Sequence, residues 1–243
     1  MVASSSSGLR GSQILWQVLP PVAFSLMPDL FSFEAFSTDP RLNQQIAFLA
    51  ELDKLKEVLR RSLVAGSRRR ENSAEHSWHL SLMALVLMEH ARPADIDQVR
   101  VLKMLLVHDI VEIDAGDTFA YDVGGYATKV ERESVAATRI FALLPPDQAG
   151  EIRRLWDEFE AEVTPEARVA QGLDRLQAVL QNLRTEGTSW RQHGVTKAQV
   201  LALNQKIGHT LPGIWTALQR QLDWAEKQGY LRTDQEARTG SLE

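Results

Sequence analysis

Residues 105–117 read LLVHDIVEIDAGD. Leu105, Leu106 and Val107 continue the apolar side of a helix that begins in DQVRVLKMLLVHD, and the run stops on two adjacent polar side chains, His108 and Asp109. Three more carboxylates, Glu112, Asp114 and Asp117, follow within eight residues. Ionisable groups at the end of a core helix are costly unless something satisfies them. The stretch therefore predicts a helix whose end has a task.

Working outward, the pattern is helical in both directions. Upstream, NSAE is a capping box: Asn72 caps, and Glu75 reaches back. It opens a helix running to about Arg92 through His76, His79, Met83, Val86 and His90, stopped by RPAD. Before it, Leu42, Ile46, Leu49, Leu52, Leu55 and Leu59 recur at spacings of three and four, which predicts one amphipathic helix reaching Arg61, broken by AGSRRR. Downstream, GDTFAYDVGGY reads as a loop, and ATKVERESVAATRIFALL as a helix stopped by Pro145 and Pro146. DQAGEIRRLWDEFEAE is helical, and Thr164 with Pro165 at the first helical position opens the helix that ends before Gly187. Thr196 and Gln199 form a second capping box, and LPGIWTALQRQLDWAEKQGYL is the last helix. Trp78, Trp156, Trp190, Trp215 and Trp224 read as packing anchors on separate elements. No run of alternating β-branched residues reads as a strand, and no internal repeat is visible. The expectation is an all-α fold in a single domain over 34–232, with a poorly structured extension at 1–33 and a tail at 233–243.

Composition sets the class. The chain has 243 residues, 44% hydrophobic and 24% charged, a globular balance with enough chain to bury a core. It has no cysteine, which excludes disulfides, thiolate metal sites and a thiol nucleophile, and suits a reducing, cytoplasmic setting. A formal net charge of -5 argues against broad binding to nucleic acid, while leaving room for a small phosphorylated ligand in a local basic pocket. The apolar ILWQVLPPVAFSLM is interrupted by Pro20 and Pro21 and too short to span a bilayer. As a leader it has only Arg10 ahead of it and no small-x-small cleavage site, and Met27 offers an alternative start. No membrane association is expected.

His76, His108, Asp109 and Asp174 fall on the inward sides of helices or at their ends. Asp174 sits beside Leu173, Leu176 and Leu180, where a carboxylate needs a partner or a cation. Imidazole with carboxylate suits manganese, cobalt, iron, zinc or magnesium. Such an ion would lower the pKa of bound water. Against this, a single helical His is more often a hydrogen-bonded core residue than a ligand, and the spacing is not a close-set metal signature.

ENSAEHS, VHDIVEIDAGD and LDRLQAVL, in that order, resemble the HD-domain phosphohydrolases, and within them the single-domain 5'-nucleotidases acting on (deoxy)nucleoside monophosphates. The likeness runs from about Leu52 to Tyr230. It implies an HD-type helical bundle, one divalent metal ion on His76, His108, Asp109 and Asp174, and a homodimer. It also implies that Glu112 and Asp117 are catalytic beside the metal-bound water, with Glu112 orienting or deprotonating it and Asp117 assisting or protonating the leaving oxygen. Arg61 falls where those nucleotidases place a phosphate-binding Arg, which can grip phosphate bidentately; the plain alternative is an exposed helix-end Arg. Where the nucleotidases carry a Trp against the sugar, this chain has Ser62, which leaves the sugar preference open. Arg69, in a basic run before a helix N-terminus, is a second substrate-binding candidate. The implied function is metal-dependent hydrolysis of nucleoside 5'-monophosphates. The alternatives are hydrolysis of another small phosphorylated metabolite and a non-catalytic nucleotide-binding HD domain.

Overall fold

A computed structural model describes residues 36–233. The expected extension at 1–33 and the tail from 234 onward lie outside the described residues. In chain order the helices are α1 (Pro40–Leu52), α2 (Ser73–Leu87), α3 (Gln98–Val107), α4 (Glu112–Ala115), α5 (Val123–Phe141) and α6 (Pro146–Ala161). Then come α7 (Pro165–Arg184), α8 (Thr188–Gln192), α9 (Lys197–Leu203), α10 (Gln205–Thr210) and α11 (Pro212–Lys227). Short 3-10 turns cover Asp53–Glu57 and Met88–His90.

The long α7 is the axis of the bundle. It buries Val169, Ala170, Leu173, Leu176 and Val179, and it packs against α2, α3, α6 and α10. Each such Leu or Val contributes roughly 1.5–3 kcal/mol by leaving water. Gly172 faces α10 where a Cβ would meet Thr210 Oγ1 at 2.4 Å, so a residue without a side chain lets the two helices close. The capping residues fall where the sequence placed them. Asn72 and Glu75 form the full capping box of α2, Thr164 caps α7 with Pro165 in its first turn, and Thr196 with Gln199 boxes α9.

Three local features depart from the sequence reading. The first helix does not reach Arg61: α1 ends at Leu52, and Leu59–Leu63 (β1) pairs antiparallel with Arg70–Asn72 (β2). Leu55 is the last buried residue of the stripe, and Leu59 stands 48% exposed on the hairpin. Gly66 and Arg68, both at positive φ, turn the chain, and the Arg70 guanidinium donates to the carbonyls of Leu59 and Arg60. Pairing and turn geometry here override a helical pattern, as they do where a segment fits a half-buried pleated surface. Second, α5 begins inside the expected loop, because Asp122 caps it through the Gly125 amide. Third, Trp156 and Trp190 are buried as expected, but Trp78 and Trp224 are 64% and 46% exposed.

Candidate metal centre

The opening stretch is resolved by where α3 stops. Asp97 caps its start, Val101, Met104, Leu105 and Val107 fill the core, and His108 is the C-cap residue. The chain then makes one turn into α4 and reverses at Gly116, whose φ of +72° is the left-handed region that favours glycine. That reversal brings Asp117 back beside the doublet, with its Oδ1 3.7 Å from the same Arg60 Nη1 that lies 2.7 Å from Asp109 Oδ2. Arg132 of α5 clamps the returning loop by donating to the Ala115 carbonyl and, at 2.9 Å, to Thr118 Oγ1.

Four side chains from α2, the end of α3 and α7 converge. His76, His108 and Asp174 each present a ligand atom, all within 4.8 Å of one another. Asp109 joins them, with Oδ1 3.0 Å from His108 Nε2 and Oδ2 3.8 Å from His76 Nε2. His76 Nε2 lies 3.0 Å from Asp174 Oδ1.

The His108 ring shows what this arrangement can receive. Its Nδ1 lies 2.9 Å from the Leu105 carbonyl, an acceptor, so Nδ1 carries the proton. Burial lowers the His108 pKa and keeps the ring neutral, which leaves Nε2 as a bare lone pair. That atom is buried, has no hydrogen-bond partner, and faces a carboxylate oxygen at 3.0 Å. Two electron-rich atoms in that relation call for a cation between them. The donor set of two imidazoles and two carboxylates fits a divalent ion of the manganese, cobalt, iron, zinc or magnesium kind.

The charges around the centre are strongly skewed. Asp109, Glu112, Asp117 and Asp174 all surround one guanidinium, that of Arg60, at 2.7, 3.8, 3.7 and 3.9 Å. Burial works against the Arg60 charge, but these carboxylates, Asp109 foremost, outweigh it and hold its pKa above the ordinary value. Burial pushes the Glu112 carboxyl well up, with Asp109 adding to it, and burial raises Asp117 as well. Burial also opposes the Asp174 charge, yet the adjacent His76 holds its pKa below the usual carboxylate range. Burial and Arg60 oppose a charged His76, but Asp174 and Glu71 lift it to about 9. Ser73 Oγ donates to Glu112 Oε2 at 2.6 Å and leaves Oε1 on the side of Arg60.

The sequence-derived candidates divide cleanly in space. His76, His108, Asp109, Asp174, Glu112 and Asp117 come together. Arg61 is exposed and lies at the rim of the cavity, whereas its neighbour Arg60, which the sequence reading passed over, enters the centre. The strand alternation of β1 decides between them, since successive side chains point to opposite faces. Arg69 is not brought to the cavity. It is exposed and forked onto Glu75 at 2.8 and 2.9 Å, so it reinforces the α2 capping box. Lys129 lines the cavity but is neutralised by Glu133 and Glu160 at 2.9 and 3.6 Å.

The centre opens into a cavity of about 270 Å³. Phe119, Tyr121, Tyr126 and Trp190 form its aromatic wall, and Arg61 and Arg175 add positive charge.

Residues 52–215 match the family model described as HD domain. The chain belongs to the HD domain family. The HD domain of this chain is similar to two curated proteins named 5'-deoxynucleotidase HDDC2: that of Danio rerio, 30% identical over 141 residues, 58% of this chain and 68% of the relative; and that of Homo sapiens, 31% identical over 137 residues, 56% of this chain and 65% of the relative. The alignments thus span about two thirds of those relatives' length. Among solved structures it is similar to a predicted metal-dependent phosphohydrolase from Magnetospirillum magnetotacticum MS-1, at 49% identity and a TM-score of 0.76, covering 79% of this chain and 96% of that one. PH0347 from Pyrococcus horikoshii OT3, at 22% identity and a TM-score of 0.53, shares the fold; it covers 72% of this chain and 99% of that one.

Proposed function

We propose that this HD domain is a metal-dependent phosphomonoesterase acting on nucleoside 5'-monophosphates, with its divalent ion on His76, His108, Asp109 and Asp174. The observation that carries the reading is the neutral His108 ring, whose buried, unpartnered Nε2 faces the Asp109 carboxylate. A divalent ion bound there would activate water and draw charge from a phosphate oxygen. It would also offset the four carboxylates that otherwise repel a phosphate dianion, all of which lie within 4 Å of the Arg60 guanidinium.

The chain's own groups then have distinct tasks. Arg60 steadies the phosphoryl oxygens as charge builds on them, and Arg61 adds field from the rim. Glu112, held through one oxygen by Ser73, takes the proton of the attacking water as its oxygen bonds to phosphorus. Asp117, whose pKa burial raises, donates a proton to the sugar oxygen as the ester bond to phosphorus breaks. The aromatic wall of Phe119, Tyr121, Tyr126 and Trp190 suits a planar base, which favours nucleotides over simple sugar phosphates. The curated relatives named 5'-deoxynucleotidase support the same class.

The cytoplasmic setting expected from a cysteine-free sequence stays part of this reading. So does a homodimer. Trp78, Leu82, Leu85 and Val86 form an exposed apolar stripe on the outward face of α2, the kind of patch that marks an interface. No helix among the described residues is long and apolar enough to cross a membrane.

The test is phosphate release from a panel of deoxyribonucleoside and ribonucleoside monophosphates and sugar phosphates, before and after chelation. The expected result is nucleotide hydrolysis that disappears with the metal and returns when a divalent ion is added back. Hydrolysis confined to sugar phosphates would favour the second reading, a different phosphorylated metabolite. Hydrolysis that survives complete metal removal would discard the mechanism.

A further inference from the structure

Glu71 is a buried carboxylate that this mechanism does not use. It is 3% exposed and sits on β2 one residue before the α2 cap. Both of its oxygens are engaged. Oε1 accepts from the Gln177 amide at 2.8 Å, and Oε2 accepts from the Ser62 hydroxyl at 3.0 Å. Oε2 also faces His76 Nδ1 at 3.7 Å, and that nitrogen is buried and has no hydrogen-bond partner.

These contacts bear on the opposite edge of the same ring. His76 Nε2 can offer a lone pair to a cation only when the proton resides on Nδ1. A buried N–H with no acceptor is costly, and Glu71 Oε2 is the acceptor in front of it. A shift of less than about 1 Å brings the pair into hydrogen-bonding range. We infer that Glu71, steadied by Ser62 and Gln177, is the positioning residue that fixes the Nδ1–H tautomer and the orientation of the His76 ring, so that Nε2 is presented to the metal. This rests on the metal centre proposed above. It assigns a task to Ser62, the residue standing where the resembled nucleotidases carry a Trp: its hydroxyl ties β1 to the carboxylate behind the ligand. The hairpin thereby supplies both Arg60 on the substrate side and the support for a ligand behind the centre.

The test is the affinity of metal-stripped protein for cobalt(II) and manganese(II), measured by calorimetry beside thermal melting of the metal-free form. Glu71→Gln is expected to raise the Kd roughly 10–100-fold and to alter the visible spectrum of the cobalt-loaded protein, while the metal-free melting temperature stays near that of the unaltered chain. Ser62→Ala is expected to raise the Kd in the same direction by a smaller factor. If Glu71→Gln binds with unchanged Kd while the unaltered chain binds one ion, Glu71 only stitches the hairpin to α7, and this inference alone is overturned. If Glu71→Gln does not fold, Ser62→Ala decides, and an unchanged Kd overturns the inference. An unaltered chain that binds no divalent ion overturns the centre and this inference together.

Discussion

At the scale of single residues, the proposed chemistry turns on Arg60 and Glu112. Arg60 is surrounded by four carboxylates, and its guanidinium lies within 4 Å of each of them. Arg60→Ala should lower kcat/KM for nucleotides by roughly 10²–10³-fold, the usual loss when a charge-stabilising donor is removed. Arg61→Ala, at the exposed rim, should change it only a few-fold, and steady-state kinetics on the two variants separates them. Glu112→Gln should lower kcat by about 10²–10⁴-fold with KM little changed, and the protein should retain its metal, because Glu112 is outside the ligand set. The side chains proposed as ligands are legible in the sequence, since His76, the His108–Asp109 doublet and Asp174 are chemically conspicuous among apolar neighbours. Choosing between Arg60 and Arg61 was not. Adjacent arginines differ only in which side of β1 they leave from, and a segment read as helix carries no such alternation.

At the scale of elements, the helices that position the site are those with strong local signals. α2 and α9 have complete capping boxes, and α7 begins at a capped Thr-Pro pair. The β1–β2 hairpin has none of these. Its stripe of leucines matches helical spacing, and its extended form depends on a turn at Gly66 and Arg68 and on pairing with β2 ten residues away. Contacts of that kind are invisible to periodicity. α7 against α10 offers a direct check on packing. Gly172→Ala places a Cβ at 2.4 Å from Thr210 Oγ1, so it should destabilise the fold by about 1–3 kcal/mol, despite alanine's better helix propensity. Urea denaturation measures this, and an unchanged or raised stability would show that the two helices separate freely. Similarly, Arg132→Met should lower kcat more than it lowers stability, because it releases the loop that returns Asp117 to the centre.

At the scale of the whole molecule, one bundle brings together groups spaced over more than a hundred residues of chain, from Arg60 to Asp174. The outward face of α2 carries Trp78, Leu82, Leu85 and Val86, while its inward face carries His76, so the proposed dimer would join association and catalysis on one helix. Light scattering should give twice the chain mass, and Trp78→Glu should reduce it to one. The central claim is that His76, His108, Asp109 and Asp174 hold a single divalent ion. Elemental analysis of the purified chain beside Asp174→Ala tests it most directly. One ion per chain, lost in Asp174→Ala, is the predicted result; a metal-free native protein, or a variant that keeps its ion undiminished, would contradict it.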